Sequence, residues 1–413
     1  MINYETFTLD NGLKVIVNHD KSTPLVAVNI LYNAGAKNEN ENKTGLAHLF
    51  EHLMFGGSKN YPQYDAAVEN MCGESNAFTN NDYTNYYLLV PSNCLEYALK
   101  IEADRMKNLT LTKKKLNVQK NVVIEEFKQR YLNQPYGDLW QKIRYLTYEN
   151  HPYKWQTIGK DISHIEQITL EDVRAFYNKF YSTSNAILSI SGNLNDKLEI
   201  YTLLNKIFLI PNNSVVQREK FHVEKWKKNK TETIIADVPV SLIVIAFQMC
   251  NRIDSEYYTY DLLSDIFSNG KSSRLYNSLV VEKQLFTEIN ACITGDEDEG
   301  LFIIMGKYQN NVSIEKGENA IWHELNLFIE SNISDNELQK VKNKNESNLT
   351  FSNLKALDKA MNLAYFTHIG DTERINKEMD LYNAVTAQKI KDIAKKMFSK
   401  NNVCTLYYIA KNK

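Results

Sequence analysis

Two distant stretches of this 413-residue chain carry one pattern. ITLEDVRAFYNKFYSTSNAILSISG begins at Ile168, and VTAQKIKDIAKKMFSKNNVCTLYYIA begins at Val385. At an offset of 217 residues Thr169 aligns with Thr386, Val173 with Ile390, Phe176 with Ile393 and Phe180 with Met397. Tyr181 then aligns with Phe398, and Asn185 with Asn402. Each stretch reads as an amphipathic helix running into an apolar strand. Earlier in each half, HLFEHLMFGGS matches YDLLSDIFSNGKSS when Phe55 is set on Phe267. A repeat on this scale constrains the fold more than any local propensity, because each copy must build a core of its own. The expectation is an α+β protein of two tandem homologous α/β-sandwich domains, and the length suits two units of roughly 200 residues. The domains are placed at 1–208 and 232–413. Residues 209–231, polar and lysine-rich, read as a solvated linker.

The second alignment also shows what the copies do not share. His48 falls on Tyr260, Glu51 on Leu263 and His52 on Ser264, so only the first copy keeps a polar triplet. In GLAHLFEHLMF, Thr44 reads as the N-cap, and Leu46, Leu49, Phe50, Leu53 and Met54 recur at helical spacing. On a helix, residues i and i+4 share a face and i+3 lies beside them. His48 and His52 therefore offer two imidazoles to one cation, with Glu51 alongside. Zinc suits such donors, and a catalytic site leaves one position for water. The metal lowers the pKa of that water to roughly 7 and polarises a carbonyl, while a neighbouring carboxylate takes the proton. About 0.02 occurrences of His-x-x-Glu-His are expected by chance at this composition. Three ionisable groups on an otherwise apolar helix face would also be costly without a partner ion.

A third protein ligand is required, and the helix LNVQKNVVIEEFKQRY (116–131) offers Glu125 and Glu126. Gln119, Val122, Val123, Glu126 and Arg130 share a face, so Glu126 can point inward while Glu125 rotates away by about 100°. That face is only partly apolar, and this helix alone leaves the choice between them open.

His48-x-x-Glu51-His52 is the inverted zinc motif. GLAHLFEHLMFGGS resembles the core of the pitrilysin/insulinase metallopeptidases, and the chain is most similar to bacterial zinc proteases related to mitochondrial processing peptidase. The likeness extends over nearly the whole sequence. It implies that the second Glu of VVIEE, Glu126, is the third ligand of one zinc ion per chain, and that Glu51 is the catalytic base. It further implies that NAFT, with Asn76, Ala77, Phe78 and Thr79, is an edge strand holding peptide substrate. Phe78 serves equally well as an ordinary core residue.

Two departures follow. The family's further Glu seven residues before the third ligand is Gln119 here. Self-sufficient members carry an Arg and a Tyr in the second domain, where this chain has Val281 and Glu288. The resemblance then implies a zinc-bearing subunit whose homologous, zinc-free partner supplies the Arg/Tyr pair, in a clam-shaped heterodimer. A homodimer is the other arrangement, and a non-catalytic peptide-binding subunit is the rival function.

The remaining signals exclude rather than assign. A net charge of −2 gives no field that would attract nucleic acid. No apolar run reaches the ~18 residues of a membrane span. Five scattered cysteines with no CxxC, and no signal-peptide pattern at the amino terminus, lead to the expectation of a reducing, cytoplasmic location. His19, His151, His164, His222, His323 and His368 have no partners at ligand spacing. Gly295–Gly300, GDEDEG, reads as an acidic turn.

Overall fold

Alternating and apolar segments of the first half assemble into one six-stranded sheet. The structure, a computed structural model, describes residues 1–211, 216 and 219–411. Six strands, β1 (Glu5–Thr8), β2 (Lys14–His19), β3 (Leu25–Tyr32), β4 (Glu74–Thr79), β5 (Thr84–Pro91) and β6 (Ala186–Gly192), pair in the order β1-β2-β6-β3-β5-β4. Only β2 and β6 run parallel. The β1–β2 hairpin turns at Asn11-Gly12, where Gly12 has φ of 87° and supplies the left-handed backbone such a turn needs. β4 lies at the sheet edge.

The second sheet repeats this plan with one strand fewer. β7 (Lys230–Ala236), β8 (Leu242–Gln248), β9 (Phe286–Ile293), β10 (Leu301–Tyr308) and β11 (Cys404–Ala410) pair in the order β7-β11-β8-β10-β9, with only β7 and β11 parallel. The sequence match is visible in the helix caps. Thr169 and Thr386 each begin a helix, Leu170–Phe180 and Ala387–Met397, by accepting the third backbone N–H with their hydroxyl. Each half of the chain therefore contributes one α+β sheet of the same plan.

The two compact units are not consecutive halves of the chain. One comprises Met1–Gln129, Trp155–Lys220 and Thr350–Lys377, and the other Arg130–Lys154, Phe221–Leu349 and Glu378–Lys413. The expected division at 1–208 and 232–413 thus differs in two segments. The reason is burial. β6 is buried at all seven residues and β3 at seven of eight, so both faces of the sheet need cover. The helix Ala356–His368 supplies it for one face. Its Ala356 and Ala360 pack on Ala27, while Leu363 and Ala364 join Ile16, Leu31 and Ile187. Lys359 adds a 2.6 Å ion pair to Asp20, whose carboxyl this contact pulls down to about 2. In the other unit the helix Leu139–Thr147 packs Leu139 and Ile143 against Leu242, Val244, Leu406 and Tyr408.

The segment 209–231 is not solvated loop throughout. Trp226 is buried in the second unit's core, and its indole N–H donates to the Thr147 carbonyl at 2.9 Å. Residues 212–215, 217 and 218 of that segment lie outside the described residues. Among the described residues no helix is long and apolar enough to cross a membrane.

Candidate metal centre

The polar triplet lies on the helix Leu46–Met54, whose apolar face buries Leu46, Leu49, Phe50, Leu53 and Met54. Thr44 is not its N-cap. Gly45 occupies that position with φ of 90°, and a β-carbon there would meet the Ile158 carbonyl oxygen at 2.7 Å. Buried Thr44 instead accepts the Lys160 backbone N–H and contacts His164 Nδ1 at 3.0 Å. The helix's first N–H groups are satisfied by Glu39. Its carboxyl accepts from Gly45 at 3.0 Å and from Ala47 at 2.7 Å. Burial pushes the Glu39 carboxyl up to about 8, against those backbone donors and the Trp155 indole, which favour the ionised form. No periodicity marks residue 39 in the sequence, and Thr44 supplied a nearer and plausible cap.

The other end of the helix rests on a buried cation. Arg105 and Glu102, each 1% exposed, form an ion pair in which Nη2 donates to both carboxylate oxygens at 2.6 and 2.7 Å. The guanidinium also lies 4.5 Å from the Tyr64 ring centre and 5.1 Å from that of Tyr86. Its Nη1 reaches toward the Met54 carbonyl at 3.4 Å, where a positive charge complements the helix C-terminus.

His48 and His52 share one face, with ring centres 4.8 Å apart and planes at 83°. The helix Lys113–Phe127 brings Glu126 to them. Glu126 Oε2 lies 3.7 Å from His48 Nε2 and 3.5 Å from His52 Nε2. Glu125 turns outward and pairs with Lys128 at 2.7 Å. Donor atoms of His48, His52 and Glu126 all fall within 4.8 Å of one another. Ligands about 2.0–2.1 Å from a tetrahedral zinc ion stand roughly 3.4 Å apart, so two of the three separations fit that ion closely. Two imidazoles and a carboxylate are also a donor set zinc accepts.

Glu51 lies beside this cluster and meets β4. The Thr79 hydroxyl donates to Glu51 Oε2 at 2.5 Å. Thr84, opposite Thr79 on β5, donates to the Ala34 carbonyl at 2.7 Å. Behind them the hydroxyls of Tyr86 and Tyr181 meet at 3.0 Å. Burial, with the charge of Glu51 adding to it, raises both phenols and keeps them protonated.

The structure thus gathers His48, Glu51, His52, Glu126 and Thr79 into one place. Ala77 lies on the same face of β4 as Thr79, and its N–H is held by the Asn76 side-chain oxygen at 2.8 Å. Asn76 and Phe78 project to the opposite face. Phe78 is 39% exposed and packs on Tyr83, so it is not a core residue. On the helix Tyr257–Ser268 the counterparts Tyr260, Leu263 and Ser264 are all buried and offer no comparable donor set.

Comparison with known proteins identifies the family. Residues 14–159 match the family described as Insulinase (Peptidase family M16), and residues 167–345 match the Peptidase M16 inactive domain. The Zinc protease PqqE of Helicobacter pylori is 29% identical over 346 residues, covering 82% of this chain and 78% of that protein. The probable mitochondrial-processing peptidase subunit beta of Schizosaccharomyces pombe is 26% identical, covering 72% of this chain and 68% of that one. A crystal structure described as a protease from Helicobacter pylori superposes with a TM-score of 0.93 at 25% identity, over 99% of both chains. The chain belongs to the M16, or insulinase, family of peptidases.

Proposed function

We propose that this chain is a zinc metalloendopeptidase acting on peptides or unfolded polypeptide segments, as the metal-bearing subunit of a heterodimer. One observation carries the reading: three donors from two helices meet beside a carboxylate on the same helix as two of them. His48, His52 and Glu126 would hold one zinc ion. When bound, zinc polarises the scissile carbonyl and acidifies water at neutral pH. Glu51 takes the proton of the attacking water and returns it to the leaving amine. Substrate lies along the open edge of β4 as an added strand, which fixes its backbone with little demand on its sequence. A peptide carbonyl arriving at Ala77 would take the N–H that Asn76 now holds. Asn76 and Phe78 then meet its side chains.

The partner follows from what the second domain lacks. Val281 is 53% exposed, and Glu288 on β9 pairs with Lys307 at 3.0 Å, so neither position supplies an Arg or a Tyr. A homologous chain would provide that pair, and the relative named as a subunit beta supports such an assembly. The same two positions favour a second reading, a peptide-binding subunit without catalysis.

One experiment separates the readings. The wild type and Glu51→Gln are each purified with the partner captured from the source cell, then assayed for zinc and for cleavage of unfolded polypeptide. Both are expected to hold about one zinc per chain, with turnover of the variant lowered about 100- to 10,000-fold. A zinc-loaded wild-type assembly that cuts nothing would leave the binding subunit as the correct reading.

A further inference from the structure

The hydroxyl of Thr79 has a single proton, and the surrounding groups settle where it goes. Two oxygens are within reach: Glu51 Oε2 at 2.5 Å and Thr84 Oγ1 at 3.3 Å. Thr84 is fully buried, and its own proton is committed to the Ala34 carbonyl at 2.7 Å. Ala34 lies two residues past the end of β3 and its N–H donates to the Tyr32 carbonyl at 2.7 Å, so that acceptor is held at the sheet. Thr79 and Thr84 are register partners on β4 and β5, which fixes the separation of their hydroxyls. The shorter contact, to a charge-bearing oxygen, is the stronger one. The Thr79 proton therefore ties one oxygen of Glu51 to the edge strand.

We propose that Thr79 is a positioning residue for Glu51, and that the strand taking up the peptide also holds the base. This inference rests on the catalytic reading given above. Glu51 leaves a helix, and its side chain has three rotatable bonds. Loss of the Thr79 donor widens the set of rotamers open to the Glu51 carboxylate, only some of which face a water beside His48, His52 and Glu126. The Thr79 hydroxyl favours one of them. Its backbone belongs to β4, so a peptide seated on that edge and the base that serves it share one rigid element. Thr79 is then an aligner of the base rather than a contact for substrate side chains.

The test uses Thr79→Val, which keeps the branched shape and removes the donor, and Thr79→Ser, which keeps the donor. Each is measured in the full assembly for zinc content, kcat and KM, and each is crystallised. Loss of one hydrogen bond to a charged group predicts a fall in kcat of about 10- to 100-fold for the valine variant. KM should stay within about twofold and zinc at one per chain. Crystals of the valine variant should show the Glu51 carboxylate displaced, with His48, His52 and Glu126 unmoved. Serine should recover kcat to within about threefold of wild type and restore the Glu51 position. Unchanged kcat in the valine variant, equal impairment of both variants, or Glu51 unmoved in the valine crystal would each overturn the inference. An inert wild-type assembly with Glu51 displaced in the valine crystal would overturn the proposed activity, and with it the catalytic purpose of the tether, while upholding the tether itself.

Discussion

Glu102→Gln tests whether the cation beneath the helix Leu46–Met54 is held in place by charge. Glu102 and Arg105 are each 1% exposed, and both carboxylate oxygens lie within 2.7 Å of Arg105 Nη2. The amide leaves a guanidinium without a counter-charge. Breaking one side of a buried pair costs about 3–5 kcal/mol. The rings of Tyr64 and Tyr86, at 4.5 and 5.1 Å, already face the guanidinium and offset roughly 0.5–2 kcal/mol of what is lost. A net loss of about 3 kcal/mol is expected, or roughly 6–12 °C in the melting point of a unit near 200 residues. Urea titration with a probe in the first unit reads it. The comparison that isolates the mechanism is the double variant Glu102→Leu with Arg105→Met, which removes both charges and fills the space. It should be more stable than Glu102→Gln, because no unpaired charge remains in the core. A single variant that loses under about 1 kcal/mol, or a double variant less stable than the single, would refute the reasoning.

Three further outcomes are expected. The Glu39 carboxyl, ordinarily near 4.5, is pushed up to about 8 by burial, so the folded chain keeps a proton that the unfolded chain releases. Stability then falls as pH rises from about 4.5 to 8, by at most about 1.4 kcal/mol per pH unit, and Glu39→Gln should flatten that slope in urea midpoints taken at several pH values. Gly45→Ala places a β-carbon 2.7 Å from the Ile158 carbonyl oxygen at φ of 90° and should cost about 1–3 kcal/mol. Thermal melts check the size of that loss, and zinc content should fall with it because the strain lies at the start of the helix that carries His48 and His52. Glu126→Ala should lower zinc affinity by several orders of magnitude while Glu125→Ala, whose carboxylate faces Lys128, leaves it unchanged; competition with a colorimetric chelator distinguishes them.

What the sequence disclosed is what repeats along the chain. The i, i+4 spacing of His48 and His52 fixes their shared face before any tertiary contact forms, and the Asn-Gly turn fixes the β1–β2 hairpin. Thr169 and Thr386 are caps that act within their own helices, so the duplication was visible through them. The choice between Glu125 and Glu126 is not legible there, because that helix has only a weak apolar face; in the folded chain Glu125 pairs with Lys128 and Glu126 faces the two imidazoles. The unit to which the helices Leu139–Thr147 and Ala356–His368 belong is not legible for a related reason. Ala356, Ala360, Leu363 and Ala364 form a readable stripe, but a stripe does not say which sheet it covers. The one available hint was the unbroken burial implied by NAILSISG, which demands cover on both faces of β6.

The groups that support the candidate site follow the same division. Glu39 reaches Ala47 across eight residues, and Thr79 reaches Glu51 across 28. Each is a polar residue whose partner is chosen by the folded backbone rather than by position on a helix or strand. Such pairs have no period, so hydrophobic patterning cannot reveal them. They nevertheless decide whether a local motif becomes a working site. Two imidazoles and a carboxylate on one helix are determined by spacing alone, but the helix that carries them is held by Glu39 at its start and Arg105 at its end. Glu51, the proposed base, accepts in turn from the Thr79 hydroxyl. The second domain carries the matching helix with Tyr260, Leu263 and Ser264 in place of His48, Glu51 and His52, so the scaffold forms without that polar triplet. Chemistry is therefore an addition to this fold, and its supports are what a sequence-based assignment of activity must test.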